Sequence, residues 1–540
     1  MTEKPNFRPA MNWLHTWAGV TLGTLLFTIW WMGTLSVFDK EIDRWMQPET
    51  RFITATQPLD ADSVIAKVKA NHPGDELASL LIYLPGERKP YFEVYGKFKE
   101  AGQFNDRLHP ISGDSLGKST SRAASGFFYP MHYRLHMGGI GYLVVALGTL
   151  FMMVLLVTGV VIHRKIFVDF FTFRPKKKIR RSSLDLHNVT GVVFLPFHFL
   201  ICLSGFAIFA GWYASIPFEV VRGFSESNRV VELFYAADDY AYYRRESAGA
   251  PAKMADIAPF VARAEEIWTE RYDQNAKADR IDLHHIGDAN AYVEVRRFFP
   301  SRRTEAHRDS INFDGATGEI LLDFQASPIR KTRTWLEGFH QIQFDHWPLR
   351  WFYFIAGLAG CILIATGFLF WTASRMKKGA VSQPVKIRFV EAMSIGSVTG
   401  IIVATGAFLI ANRVLPAEAS WAGLARPEIE VRLFFLVWVL SFIHPVFRSG
   451  KAWAEQSWAI AALGILAVIL NWVTTSDHLF ASAGRDLWSV AGMDLVLLAS
   501  AGAAAFAAMR LQRRTDPSAA MRRKPDASNP VDAAKPSPAE

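Results

Sequence analysis

The sequence predicts an all-α polytopic membrane protein of about eight transmembrane helices, with two small α+β modules outside the membrane and an internal parallel repeat. Eight apolar stretches are long enough to cross the hydrocarbon of a bilayer. Long polar segments follow the first and third stretches, and similar motifs recur at a fixed offset. The eight stretches are 16–38, 141–162, 188–210, 350–372, 389–411, 430–447, 457–474 and 487–508.

These stretches divide the chain into seven regions. The apolar stretches account for most of the boundaries, and the Ala-, Pro- and Lys-rich C-terminus is typical of a disordered tail. The regions are the N-terminus and first span (1–38), the first module (39–135), the second span, basic loop and third span (136–210), the second module (211–340), the fourth span (341–375), a four-helix extension (389–509) and the tail (510–540).

Each polar segment has the pattern of a helix followed by a meander of strands. The first predicts a helix over 59–72 and strands over 78–84, 90–96 and 102–109. The second predicts a helix over 254–270 and strands over 279–286, 291–298 and 308–313. Both end in a turn of the form (Asp/His)-x-x-(Ser/Thr)-Gly-(Asp/Glu), and its glycine is typical of a tight hairpin.

The orientation follows from the Lys and Arg residues of the connections. Loop 163–187 has eight of them, loop 372–388 has five and the tail after 509 has seven. The short loops 412–427 and 475–486 have two and one. Both termini are therefore expected in the cytoplasm and both modules outside. This bias accounts for most of the net charge of +9, so no nucleic-acid partner is needed to explain it.

Several classes of site are excluded by their missing motifs. Cys202 and Cys361 both lie in spans, so they form no disulfide framework and no CxxC or CxxCH motif, and packing residues are their expected role. The modules contain no HExxH motif, no Gly-rich phosphate loop and no nucleophile-and-base arrangement. Binding or positioning is therefore their expected role.

The first and third spans are copies of each other. Leu14-His15-x-x-x-Gly19 matches Leu186-His187-x-x-x-Gly191 at an offset of 172, and Gly33 falls on Gly205 at the same offset. The second and fourth spans also match, through Thr158-Gly159 and Thr366-Gly367. Each of these two spans has a histidine upstream on the outer side, for which the best matched candidates are His136 and His340.

In combination these motifs resemble the PepSY-associated transmembrane family, over about residues 10 to 375. The motifs are the LH-x-x-x-G span start, the HPxSG-type turn, the LH before the second span and the DLH before the third. The resemblance implies a bacterial inner-membrane protein, often iron-regulated, with PepSY-like periplasmic modules. The family members with a known activity look like di-haem ferric-siderophore reductases. The extension after 389 departs from that pattern.

The resemblance directs attention to the histidines, which fall at two depths. His15 and His187 should lie at one level near the cytoplasmic face, and His136 and His340 at another near the outer face. Neutral imidazoles projected inward from neighbouring helices are axial ligands of b-type haem iron. Two non-covalent haems b, each held by one of these pairs, would then form an electron pathway across the bilayer.

Other histidines leave alternatives open. His163, at the end of the second span, either replaces His15 as a ligand or is an interfacial residue. His198 lies eleven residues after His187, which on a straight helix puts both rings on one face about 16 Å apart. It follows Pro196 and is either hydrogen-bonded within the bundle or a ligand. His132 and His346 are alternative outer ligands, and a structural role is expected for His444 and His478.

The sequence therefore predicts an inner-membrane haem protein, in contact with lipid, that passes electrons from a cytoplasmic or quinone donor to a periplasmic acceptor. A ferric-siderophore or other ferric chelate is the expected acceptor, which makes the protein an oxidoreductase of iron uptake. Two alternatives contain no electron transfer. One is a membrane anchor whose modules restrain a periplasmic protease or assembly factor, and the other is an iron-chelate transporter.

Overall fold

The computed structural model describes residues 7–53, 57–163, 173–175, 177–209, 243–272, 276–297, 309–325, 328–344, 346–376 and 384–515. Within these residues, seven helices are long and apolar enough to cross a membrane, and a bent pair of shorter helices, counted here as one broken span, brings the number to eight. The predicted polytopic architecture is therefore confirmed. The spans are span 1 (Phe7–Ser36), span 2 (Gly138–Ile162), span 3 (Ile179–Val193 with Leu195–Ile208), span 4 (Trp347–Arg375), span 5 (Val385–Val414), span 6 (Arg426–Phe447), span 7 (Ala452–Thr475) and span 8 (Trp488–Arg513).

Span 3 is broken rather than straight. Its two helices meet at Phe194 at an angle of 64°. Pro196 is the second residue of the second helix, and a proline has no N–H to continue the hydrogen-bond ladder across the break. The expectation that His187 and His198 share one face of a continuous helix is therefore wrong, because the bend separates them.

The two modules lie on the same side of the spans, here called the module side, and share one antiparallel sheet. Its order is β3-β2-β1-β4-β5-β6-β7, so the first strands of the two modules pair with each other. Helices Ala61–Asn71 and Ala258–Tyr272 cover one face and bury an apolar core against it. The strands are β1 (Leu77–Tyr83), β2 (Phe92–Phe98), β3 (Gly102–Leu108), β4 (Arg280–His284), β5 (Tyr292–Arg297), β6 (Asp309–Asp314) and β7 (Ile320–Phe324).

The matching turns of the modules have the predicted form. Gly113 and Gly318 have positive φ angles of 69° and 74°, which glycine adopts without a steric penalty. In the second turn the Asp314 carboxylate accepts hydrogen bonds from the backbone N–H groups of Ala316 and Thr317. In the first turn His109 replaces the aspartate and its Nδ1 accepts from the N–H of Ser112 at 3.3 Å.

Three short helices connect the modules to the spans. The linker helix, Asp39–Met46, follows span 1. Pre-span helix 1, Ala123–Arg134, leads into span 2, and pre-span helix 2, Pro328–Gln341, precedes span 4. The two pre-span helices occupy equivalent places in the two halves, and they carry His132 and His340 near their C-terminal ends.

A buried ionic cluster joins the linker helix to module 1 and span 4. The Glu41 carboxylate accepts hydrogen bonds from Arg88, in the β1–β2 connection, and from Arg350, in span 4, at 2.7 to 3.1 Å. Burial alone would raise the pKa of Glu41, but the two guanidinium groups outweigh it and lower the pKa to about 2. The carboxylate is therefore charged and fixes the module above the spans.

The four-span extension packs against the same linker helix. Trp45 donates its indole N–H to Asp494 of span 8 at 2.8 Å. Arg51 donates to Asn471 and Asp477, at the module-side end of span 7, at 2.7 and 2.8 Å. Such buried polar pairs are costly to break, so the extension and the repeat form one body on this side.

Span 5 contains a five-residue π-helical segment, Gly396–Gly400.

Span 8 continues as helix to Thr515, so the segment predicted as a tail from 510 is helical over its first six residues. Most of the basic loop, residues 210–242 at the start of the second module, and 516–540 lie outside the described residues.

Candidate functional site

The first histidine pair lies between spans 1 and 3, far from the modules. His15 and His187 face each other with ring centroids 6.2 Å apart and planes at 86°. The His15 Nδ1 lies 3.0 Å from the Leu155 carbonyl oxygen of span 2, and the His187 Nδ1 lies 2.8 Å from the Leu363 carbonyl oxygen of span 4. The predicted pairing of these two residues at one level agrees with this geometry.

These hydrogen bonds fix the tautomer of each ring. A carbonyl oxygen only accepts hydrogen bonds, so Nδ1 must be the donor and must carry the proton. The lone pair of each neutral imidazole therefore resides on Nε2, the atom that is free to bind a metal. Both rings of the first pair thus present Nε2, a nitrogen with a lone pair that can bind a metal, to the space between spans 1 and 3.

The second pair lies at the module-side ends of the same spans, and it consists of His132 and His340. Their ring centroids are 5.9 Å apart with planes at 20°. Each Nδ1 lies 2.9 Å from a backbone carbonyl oxygen, that of Ile29 in span 1 for His132 and that of Ile201 in span 3 for His340. The same tautomer argument leaves Nε2 as the lone-pair atom in both rings.

Burial keeps the second pair neutral. Desolvation, together with the neighbouring His132, lowers the pKa of His340 to about 3. Desolvation also lowers the pKa of His132, and the hydrogen bond to Ile29 offsets only part of this effect. Both rings are therefore uncharged at neutral pH, which is the state that a metal ligand requires.

Four repeated glycines make room for the four rings. A Cβ atom on Gly33 would lie 2.7 Å from the His132 ring, and one on Gly205 would lie 2.6 Å from the His340 ring. A Cβ on Gly159 or Gly367 would lie 3.3 or 3.4 Å from its partner histidine of the first pair. The glycines that reveal the repeat in the sequence are thus the residues against which the histidine rings pack.

A cavity of about 520 Å³ surrounds the second pair, within the size range of small-molecule and cofactor sites. It is enclosed by spans 1 to 4 and both pre-span helices. Most of its lining is apolar or aromatic, with a few polar groups, including Arg333 and Glu337 of pre-span helix 2, which form an ion pair. Its lining includes Trp30, Gly33, His132, Gly205, His340 and Tyr353.

The two pairs lie at opposite ends of one four-span bundle. Along span 1, fourteen residues separate His15 from Ile29, whose carbonyl holds His132, and this is about 21 Å of helix. The arrangement therefore places two equivalent two-imidazole sites near opposite faces of the membrane.

The structure corrects the predicted partner of His340. His136 was expected there, but it lies at the turn between pre-span helix 1 and span 2 with a positive φ of 53°. Its Nε2 lies 2.9 Å from the Phe127 carbonyl oxygen and its ring stacks on that of Phe127. The Nε2–H group of His136 is therefore used to close the turn. His132, which the sequence offered only as an alternative ligand, takes the position opposite His340.

The other candidate histidines stand apart from both pairs. His163 caps the C-terminal end of span 2, and its buried Nδ1 has no hydrogen-bond partner among the described residues. His198 is fully buried, and its Nε2 lies 3.0 Å from the Ala356 carbonyl oxygen. His346 caps span 4, where its side chain accepts from the Leu349 N–H. None of the three faces a second imidazole within the described residues.

The sequence carried a signal for His132 that the first interpretation missed. Spans 2 and 4 are related by an offset of 208, as Thr158 and Thr366 show, and not by 172. At this offset His132 falls on His340, whereas His136 falls on Phe344. The difference between the offsets reflects the longer second module.

One further group of ligand-type side chains lies on the sheet, namely Asp282, His284 and Glu294. Arg280 donates two hydrogen bonds to the Asp282 carboxylate at 2.6 and 2.7 Å, and Arg296 donates to Glu294 at 2.7 Å. These arginines neutralise the two carboxylates, so the group is an ion-pair network of the sheet surface.

Comparison with known families covers the region that contains both pairs. The model of the PepSY-associated TM region matches residues 12–374, about two thirds of the chain. The chain belongs to the PepSY-associated transmembrane family. Both histidine pairs, both modules and nearly all of spans 1 to 4 fall inside the matched region, and spans 5 to 8 lie beyond it. The resemblance predicted from the sequence motifs is thereby confirmed.

A curated relative in Pseudomonas aeruginosa, strain PAO1, is named "Uncharacterized protein PA4219". The present chain is similar to this relative at 25% identity over 394 residues, which cover 68% of this chain and 90% of the relative. The similarity therefore extends over nearly the whole of that protein.

Proposed function

We propose that this protein binds two b-type haems non-covalently, one at each histidine pair, and carries electrons across a bacterial inner membrane to a ferric chelate. On this proposal His15 and His187 hold one haem, and His132 and His340 hold the other. A cytoplasmic or quinone donor supplies the electrons. The Lys and Arg content of the loops supports cytoplasmic termini, and on this proposal the modules lie in the periplasm.

The observation that carries the proposal is the facing geometry of the two pairs. Metal–imidazole bonds of about 2.0 Å, with roughly 1.1 Å from each bonded nitrogen to its ring centre, require a centroid separation of about 6.2 Å. The observed separations are 6.2 and 5.9 Å. Among the described residues two imidazoles face each site, which suits an iron whose other four ligands come from a porphyrin.

The chain's own residues would fix and tune the sites. Each carbonyl that accepts from Nδ1 orients its imidazole and raises the basicity of Nε2, as second ligand shells do in metalloproteins. The haem would supply reversible one-electron chemistry, and burial and axial ligation would set its potential. Most of the lining of the second site is apolar or aromatic, and Arg333 supplies a cationic group there.

The acceptor is proposed from chemistry and from the resemblance to ferric-siderophore reductases. Hard oxygen ligands hold Fe³⁺ more tightly than Fe²⁺, so one electron weakens a ferric chelate and releases its iron. The second histidine pair lies at the module side, and Gln343 of its cavity accepts a hydrogen bond from Arg88 of the first module at 3.2 Å. An acceptor that docks on the modules would therefore be close to the second pair.

The first test is the presence of haem. Protein purified from cells supplied with a haem precursor should show a Soret band that shifts on reduction with dithionite, and two haems per chain by pyridine haemochromogen assay. Protein without bound haem would refute the proposal and favour a membrane anchor or a transporter.

The second test addresses the acceptor. Reduced protein in nanodiscs is mixed anaerobically with a ferric siderophore, and reoxidation is followed at the α-band. Rapid reoxidation is expected with the ferric complex and none with the gallium complex of the same siderophore, which has nearly the same size and charge but accepts no electron. Equal behaviour with the two complexes would exclude ferric-chelate reduction.

A further inference from the structure

Three aromatic rings occupy the space between the two histidine pairs. The Phe194 ring packs against the His198 ring with centroids 5.8 Å apart, and the His198 ring meets the edge of the Trp30 indole at 5.1 Å. Trp30 in turn lines the cavity of the second pair. Phe194 lies on the same span as His187, seven residues further along. These three rings are therefore in contact with one another, with Trp30 at the cavity of the second pair and Phe194 about two helical turns from His187.

The carbonyl groups that His187 and His198 contact on span 4 show that His198, and with it the row of rings, lies between the two histidine pairs. His187 bonds to the Leu363 carbonyl and His198 to the Ala356 carbonyl, seven residues or about 10.5 Å apart on that helix. In span 3, His198 precedes Ile201, the carbonyl partner of His340, by three residues or about 4.5 Å. His198 is thus nearer the second pair and still on the path to the first.

His198 is a costly residue for this position. The side chain is completely buried, and its Nδ1 has no hydrogen-bond partner among the described residues. At the repeat offset of 172 the equivalent residue in span 1 is Leu26, which fills the same place in the first half with an apolar side chain. Packing alone therefore does not require an imidazole here, and an ionisable group inside a membrane points to a function.

Close packing against span 4 fixes the position of the Trp30 indole in the row of rings. A Cβ atom on Gly360 would lie 1.9 Å from the indole Nε1, so span 4 has a glycine where the indole passes. The repeat equivalent of Trp30 is Cys202, so this ring too belongs to one half only. Two large rings are thus present at the centre of a bundle whose symmetry would supply a leucine and a cysteine.

We propose that Phe194, His198 and Trp30 are the bridge through which an electron tunnels between the two histidine-pair sites. This inference rests on the proposed haem function. One electron leaves the reduced site and arrives at the oxidised one, and the three rings are neither oxidised nor reduced in the transfer. Packed rings with delocalised electrons couple the two sites more strongly than aliphatic side chains would. The three residues position the transfer and bind no substrate.

The bridge is tested by removing single rings while volume is conserved. His198→Leu introduces the leucine that the equivalent position of the first half, Leu26, carries. His198→Phe keeps an aromatic ring but removes the ring nitrogens. The matched pair for the indole is Trp30→Leu and Trp30→Phe. The control is Trp31→Leu, because Trp31 points toward the extension, where it donates to Thr405 at 3.1 Å. Each variant is characterised for haem stoichiometry, both midpoint potentials and the rate of transfer between haems after laser-flash photoreduction.

We expect His198→Leu and Trp30→Leu to slow the transfer roughly tenfold at unchanged driving force, because the electronic coupling between the two sites is weaker. The phenylalanine variants should stay close to the wild-type rate, as should Trp31→Leu. Unchanged rates in both leucine variants would overturn the bridge, and so would equal slowing in the leucine and phenylalanine variants.

A second readout does not depend on electron transfer. Because the buried Nδ1 has no described partner, His198→Leu should raise the thermal unfolding temperature even as it slows the transfer. A lower unfolding temperature would indicate a structural role for the imidazole. Absence of haem from the wild-type protein would refute the proposed function itself, whereas two haems with unaltered transfer in the variants would refute the bridge alone.

Discussion

Alanine at the four repeated glycines should have opposite effects at the two histidine pairs. At Gly205 the new Cβ would lie 2.6 Å from His340 Cε1, so the ring must move by about 0.8 Å to reach an ordinary contact of 3.4 Å. Its 2.9 Å hydrogen bond to the Ile201 carbonyl cannot survive such a movement in most directions. A metal site tolerates misplacement of about 0.5 Å, so the second site should be lost.

The free energies point the same way. Overpacking costs about 1 to 3 kcal/mol and the lost hydrogen bond about 1 kcal/mol, against a gain of about 1 kcal/mol for replacing a helical glycine by alanine. Gly205→Ala should therefore destabilise the protein. Gly367→Ala creates only a 3.4 Å contact, so it should keep its site and gain up to about 1 kcal/mol.

The assay is haem content per chain together with the thermal unfolding temperature. Gly33→Ala and Gly205→Ala should each retain one haem, whereas Gly159→Ala and Gly367→Ala should retain two. Gly502→Ala is the control, because a Cβ there meets nothing within 4 Å. Loss of haem from the Gly367 variant, or two haems in the Gly205 variant, would refute this reasoning.

Three further predictions concern single side chains. His132→Ala should leave one haem per chain and His136→Ala two, measured by pyridine haemochromogen assay. Glu41→Gln should lower the free energy of unfolding by about 3 kcal/mol at pH 7, since its pKa is about 2 in the folded protein. Arg51→Met should cost about 3 kcal/mol, because Asp477 loses its buried partner and retains only the exposed Arg485 among the described residues, which denaturant titration in detergent would measure.

The pH dependence distinguishes the Glu41 effect from a packing defect. A carboxylate whose folded pKa is lowered contributes its stability above its ordinary pKa of 4.5, and the contribution disappears as the pH falls toward 2. The difference between the wild type and Glu41→Gln should therefore shrink over this range. A difference that stays constant from pH 7 to pH 3 would contradict the ionic role. For the histidine pair, a second haem in His132→Ala would contradict the assignment.

Much of the fold was predictable because it depends on local patterns. Apolar length gave the spans, period-two alternation gave the first six strands, and the glycine turns ending at Gly113 and Gly318 gave the hairpins. The pairing of β1 with β4 was not predictable, because both strands have an apolar face and no local signal specifies a partner about 200 residues away. The bend of span 3 was indicated by Pro196, but its angle depends on packing.

The site was half predictable for a similar reason. His15 and His187 share an offset with the glycine motif of their own spans, so the match fixed both. On the outer side, His132 and His136 lie one helical turn apart, and the left-handed turn at Leu135 and His136 decides which ring faces inward. Neither Leu135 nor His136 is a glycine, so the residue types did not indicate that the backbone is left-handed at these positions.

The shared sheet has a consequence for the independence of the two halves. The β1–β4 pairing is antiparallel and places Leu80 opposite Leu283 and Ile82 opposite Ile281. Either half without the other would leave this strand edge uncovered, and an open edge invites pairing with another chain. Each module therefore protects the edge of the other, and the two halves keep this contact although they differ inside the membrane, as His198 opposite Leu26 shows.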